Sequence, residues 1–191
     1  MSVLDPSPSP ALRWVGAVVG IGVVIAACGE PTAQIIHPDD SPVSFVLPAE
    51  YADITEETGE GQSLVYGLPS TPLDSLSSEP VVLVDTLPSG QNASFSSLRE
   101  LSTFGEFDPL DPDLETLPND TQVLGYLEIV EPEIWGIRLR MAIGQGASDF
   151  QALVDRASGQ VVVTRVICTQ ACFLEKIDLI DDIQGSWSLE P

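Results

Sequence analysis

Ile134-Trp135-Gly136-Ile137-Arg138-Leu139-Arg140-Met141-Ala142-Ile143 alternates in character at nearly every step. Trp135, Ile137, Leu139, Met141 and Ile143 fall on one side of the alternation. Gly136, Arg138, Arg140 and Ala142 fall on the other. Successive side chains of a strand point to opposite faces, so this pattern predicts a β-strand with one buried and one wet face.

The same reading extends outward. Val123, Gly125, Leu127 and Ile129 alternate with Leu124, Tyr126, Glu128 and Val130, and Pro132 punctuates, which predicts a preceding strand. Residues 150–155 and 161–167 flank Arg156-Ala157-Ser158-Gly159-Gln160 and predict a hairpin around a Gly-containing turn. Residues 173–180 and 183–189 read as two more strands, although Leu174, Ile177 and Ile180 also fit one face of a helix. Upstream, residues 43–47, 63–68 and Val81-Val82-Leu83-Val84 are short strand candidates between Ser/Pro/Gly-rich connections. Residues 97–104 suit one or two helical turns, and residues 106–120 suit an exposed loop. The expected fold is mainly β, an antiparallel meander or small β-sandwich, best defined over residues 121–191. Its core is expected in residues 123–189, with Trp135, Ile137, Leu139, Val161 and Val163 buried.

The N-terminus obeys different rules. Residues 14–27 carry no charge and are too short to span a bilayer comfortably, which takes ~20 apolar residues. That length suits a signal-peptide apolar region. The run ends in Ile25-Ala26-Ala27-Cys28, which resembles the lipobox of bacterial lipoproteins. The resemblance implies cleavage between Ala27 and Cys28, and diacylglycerol on the Cys28 sulfur. An uncleaved membrane helix and an ordinary secretory signal are the other readings, and all three place the chain outside the cytoplasm. The implied organisation is a signal over residues 1–27, a flexible tether over 28–42 and a β-rich extracytoplasmic domain over 43–191. Partnership with the membrane would then run through the lipid on Cys28, because two acyl chains hold where one holds only marginally.

Charge narrows the partners. The formal net charge is −22, and Asp5 and Arg13 cancel within the leader, so the remainder carries all of it. Nucleic-acid binding needs clustered Lys and Arg and is excluded on this balance. Lys176 is the single lysine, a composition common in high-GC bacteria, actinobacterial-type among them, and in salt-adapted proteins. With Cys28 assigned to lipid, Cys168 and Cys172 remain as a pair, most simply a disulfide in an oxidising compartment.

Chemistry-bearing residues are sparse. Asp108, Asp111, Asp113 and Glu115 form an oxygen-rich cluster of the sort that binds Ca²⁺, but Pro109 and Pro112 interrupt any EF-hand spacing. A solvated acidic loop is the plainer reading, and no metal or cofactor is expected. Arg138 and Arg140 share a strand face. They read either as an anion-binding or partner-docking patch, with Arg156, Arg165 and Lys176, or as cross-strand partners of Glu128, Asp155 or Asp178. The one histidine, His37, lies in the tether region, which leaves no Ser-His-Asp set. No phosphate loop, dinucleotide fingerprint or HExxH is present. The expected function is a lipid-anchored, non-enzymatic binding or envelope-scaffolding module, with a protein or envelope polymer as partner. A carboxylate-based envelope hydrolase and a carrier of a small apolar ligand are the alternatives.

Overall fold

The computed structural model describes residues 32–37, 43–55, 63–71, 76–87, 93–111, 113, 114 and 116–189. All lie in one compact unit, Pro31–Pro191. The strands are β1 (Ala33–Ile36), β2 (Val43–Pro48), β3 (Ala52–Asp53), β4 (Leu64–Gly67), β5 (Val81–Leu87), β6 (Thr121–Val130), β7 (Ile134–Ile143), β8 (Gly146–Asp155), β9 (Val161–Thr169) and β10 (Ser188–Leu189). The helices are α1 (Phe95–Ser102), α2 (Gln170–Glu175) and α3 (Ile177–Gly185), with a short 3₁₀ turn at Pro118–Asp120.

The fold is mainly β and antiparallel, as the alternation predicts. A seven-stranded sheet runs in the order β3-β4-β5-β9-β8-β7-β6, and a three-stranded sheet runs β1-β2-β10. Consecutive long strands β6 to β9 pair as neighbours, so the C-terminal half is a meander. Each face of the large sheet carries its own core. On one face Ile137, Leu139, Met141, Phe150, Ala152, Val161 and Val163 pack with Leu98 of α1. On the other, Val82, Val84, Val162 and Val166 meet Phe45 and Leu47 of β2 and Phe173, Ile180 and Ile183 of α2 and α3. Of the five residues expected to be buried, Ile137, Leu139, Val161 and Val163 are. Trp135 is half-buried, its ring edge-on to Phe95 at 5.2 Å.

Helix α1 begins where its sequence supplies a cap. Ser94 accepts from the Ser97 backbone N–H, and the Ser97 hydroxyl accepts from the Ser94 N–H, which satisfies two donors that the first turn leaves orphaned.

Several expectations need correction. Residues 173–180 are not a strand: they fall in α2 and α3, with Lys176 at the junction, and only Ser188–Leu189 of the last predicted strand is extended. The buried stripe is Phe173, Ile180 and Ile183, and Leu174, assigned above to a helical face, is 77% exposed. Ala33–Ile36, read as tether, pairs antiparallel with β2. In β6 the register shifts between Val123 and Gly125. Val123 therefore stands opposite Met141 while Gly125 stands opposite Arg140, and the two lie on different faces rather than the same one. The arginine face of β7 is also not a wet face, because α3 lies over it.

Cys28 and the signal over residues 1–27 lie outside the described residues, as does Glu115. Among the described residues no helix is long and apolar enough to cross a membrane.

Candidate functional site

Arg138 and Arg140 sit on the face of β7 that α3 covers. The hairpin joining β7 to β8 turns at Gly144, whose φ is +55°, and sets Arg140 opposite Asp149. Asp149 is fully buried. Its Oδ1 accepts from Arg138 Nε at 2.8 Å, and its Oδ2 accepts from Arg138 Nη2 and Arg140 Nε, each at 2.7 Å. Asp181, from α3, accepts from Arg138 Nη2 at 2.7 Å and from Arg140 Nη2. Gln184, one turn along α3, donates to the Asp149 carbonyl at 2.9 Å. Burial acts to depress the Arg138 guanidinium, but the hydrogen bonds and charge of Asp149 and Asp181 outweigh it and hold it above its ordinary value.

Two arginines and two aspartates thus form one charge-balanced cluster. The expected partners Glu128, Asp155 and Asp178 are not the ones used. Asp155 instead accepts from the backbone N–H groups of Ala157 and Ser158 in the β8–β9 turn.

Beside the cluster lies a groove of about 230 Å³, lined by Gly125, Tyr126, Leu127, Arg138 and Arg140. Gly125 creates the space: a Cβ built there would meet nothing within 4 Å. Leu127 stands opposite Arg138 and is 59% exposed, so it gives the groove an apolar wall. The hydrogen bonds described for Arg138 and Arg140 use Nε and Nη2. Among the described residues, no hydrogen bond engages the Nη1 of either.

The other basic residues do not join them. Arg165 lies on the α1 face, across from Phe150. It donates to the Leu101 carbonyl at the C-terminal end of α1 at 2.9 Å, a position where a cation opposes the helix dipole. The Phe104 ring covers it, with 3.9 Å from guanidinium carbon to ring centroid. Burial pushes Arg165 down to about 10, with the charge of Asp85 opposing. Arg156 donates to the Glu131 carbonyl at 3.1 Å, and Lys176 sits at the junction of α2 and α3. Of the basic residues that one of the two sequence readings grouped into a patch, only Arg138 and Arg140 lie together.

The acidic cluster disperses as well. Asp108 is held by Arg99, with Nε to Oδ1 at 2.8 Å and Nη2 to Oδ2 at 2.7 Å, and accepts further from Ser96 and the Leu110 N–H. The Arg99 hydrogen bonds hold its carboxyl below the usual range. Asp111 caps a local turn by accepting from the Asp113 N–H at 2.9 Å. Among the described residues, no three metal-ligating side chains converge.

Cys168 is the penultimate residue of β9 and Cys172 stands in the first turn of α2, both buried, with Cα atoms 6.0 Å apart and sulfurs at bonding distance. The connection is a strand-to-helix junction, and the Thr169 side chain accepts from the Cys172 N–H to cap α2.

Sequence reasoning missed Asp149 and Asp181. The first had a signal: Gly144-Gln145-Gly146 after the alternating run marks a hairpin turn, and counting back pairs Arg140 with Asp149. The second had none, because α3 reaches the cluster only through the tertiary fold.

No family model matches the chain, and no curated protein matches it in sequence. Its fold is similar to solved structures. The cyanobacterial PsbP protein CyanoP from Synechocystis superposes with a TM-score of 0.52 at 9% identity, covering 92% of this chain and 98% of that one. The Ran-binding protein Mog1p of Saccharomyces cerevisiae gives 0.48 at 10% identity over 82% of this chain and 95% of that one. LpqN, involved in cell envelope biogenesis of Mycobacterium tuberculosis, gives 0.48 at 14% identity over 83% of this chain and 91% of that one. At such identities the likeness is one of fold.

Proposed function

We propose that this chain is a lipid-anchored, extracytoplasmic binding module that takes its ligand in the groove beside Arg138 and Arg140. The observation that carries the reading is the pair of guanidiniums lining a groove, in a chain whose other charges are overwhelmingly negative. Two guanidiniums held by a buried carboxylate are pre-oriented, so a ligand meets donors that need no ordering. We read the site as binding rather than catalytic. Asp149, the buried carboxylate of the cluster, accepts three hydrogen bonds from the guanidiniums across both of its oxygens, which occupies the lone pairs a general base would use.

The anchor rests on Ile25-Ala26-Ala27-Cys28. Mass spectrometry of the mature protein should place its N-terminus at Cys28 with acyl mass added. A membrane-bound chain that still begins at Met1 or Ser2 would sink the anchor.

The compartment has a second, independent test. Denatured without reductant, the mature protein should show no free thiol, with Cys28 lipidated and Cys168 bonded to Cys172. Two titratable thiols would put the pair in a reducing compartment. Because the closed loop is very short, chain entropy gives the bond about 2 kcal/mol. Reduction should therefore lower the melting temperature and leave the domain folded, with both sulfurs still buried as small apolar groups.

A further inference from the structure

Asp149 and Asp181 engage the same two guanidiniums but differ in burial. Asp149 is fully buried, whereas the Asp181 side chain is 44% exposed. Asp181 can rotate into water without stranding a charge in the interior. If it leaves, Arg138 and Arg140 hold two positive charges against the one negative charge of Asp149. A single incoming carboxylate restores the balance on the same two guanidiniums, which line the groove. A dianion overshoots it, within a chain of net charge −22.

We propose that Asp181 is a tethered stand-in for the ligand's own carboxylate, and that the groove takes a small monocarboxylate with a short aliphatic tail. The proposal rests on the groove being the binding site argued above. The tail would run along Leu127 over Gly125, where no side chain intrudes. Binding exchanges one carboxylate for another on Nη2 and adds contacts to the unengaged Nη1 groups. Asp181 therefore sets the affinity by competing, and it selects against neutral molecules, which cannot replace its charge.

The test uses the full-length protein in detergent, with hexanoate as probe and hexanamide as neutral control, read by the amide resonances of Gly125 and Leu127. Hexanoate should shift both saturably, and hexanamide should not. Asp181→Ala should bind hexanoate about threefold to fivefold more tightly, the gain from removing a half-exposed competing ion pair. Gly125→Val should abolish the shift at Leu127 while leaving the circular dichroism spectrum unchanged. If hexanoate binds and Gly125→Val blocks it, but Asp181→Ala does not tighten it, the groove stands and the stand-in role is overturned. If hexanamide matches hexanoate, the carboxylate class is overturned. If neither the native protein nor Asp181→Ala responds to hexanoate, the proposal fails together with the groove as its site. Hexyl phosphate binding more tightly than hexanoate would overturn the monoanion argument.

Discussion

Asp149→Ala should be among the most destabilising single changes in the molecule, costing about 3–5 kcal/mol in a denaturant melt. Asp149 is fully buried and supplies three of the hydrogen bonds that hold Arg138 and Arg140 in place. Without it, two guanidiniums lie side by side beneath α3 with a single, half-exposed carboxylate between them. The penalty is that of leaving charge stranded in the interior, which exceeds the net worth of the intact pair. Asp181→Ala removes a carboxylate from the same two arginines at the solvent edge, and should cost at most about 1 kcal/mol. The contrast between the two is the measurement. Equal losses would mean that Asp149 is not the electrostatic centre of the cluster.

The same cluster shows how far the sequence could be read. Alternation from Ile134 to Ile143 identifies the strand, its two faces and the shared face of Arg138 and Arg140, because side-chain direction in a strand is a local property. Register is not local. The bulge at Leu124 moves Val123 to the opposite face from Gly125, and nothing in the composition of β6 announces it. Gly125 therefore became the floor of a groove through a pairing detail, not through a motif. The C-terminal segment failed for a different reason. Phe173, Ile177, Ile180 and Ile183 are apolar and β-branched enough to suit short strands, and only the tertiary fold decides that they cover a sheet as helices. That decision also delivers Asp181 and Gln184 to the arginines, so the half of the site contributed by α3 could not be seen before the fold was. The anchor is the reverse case. Ile25-Ala26-Ala27-Cys28 resembles a lipobox in the linear sequence alone, and that resemblance needs no fold to be read.

Gly136→Ala should destabilise the domain by about 3 kcal/mol or more, although it adds one methyl group. Gly136 lies in β7, between β6 and β8, where the backbone of the paired strand β8 runs close beside it. A Cβ at this position would overlap the Ala152 carbonyl oxygen and come within 3.1 Å of the Leu153 Cα. Both are main-chain atoms, so no side-chain rotation relieves the overlap. The two strands must separate, and their neighbours Ile137 and Ala152 are fully buried in the core against α1. Gly125→Ala is the matched control on the adjacent strand, with nothing within 4 Å of the added carbon. Alanine also suits a strand slightly better than glycine does, because it loses less backbone freedom on folding. Gly125→Ala should therefore be neutral or mildly stabilising in the melt that finds Gly136→Ala crippled. If the two glycines respond alike, the close approach of β8 to Gly136 is not a feature of the folded protein.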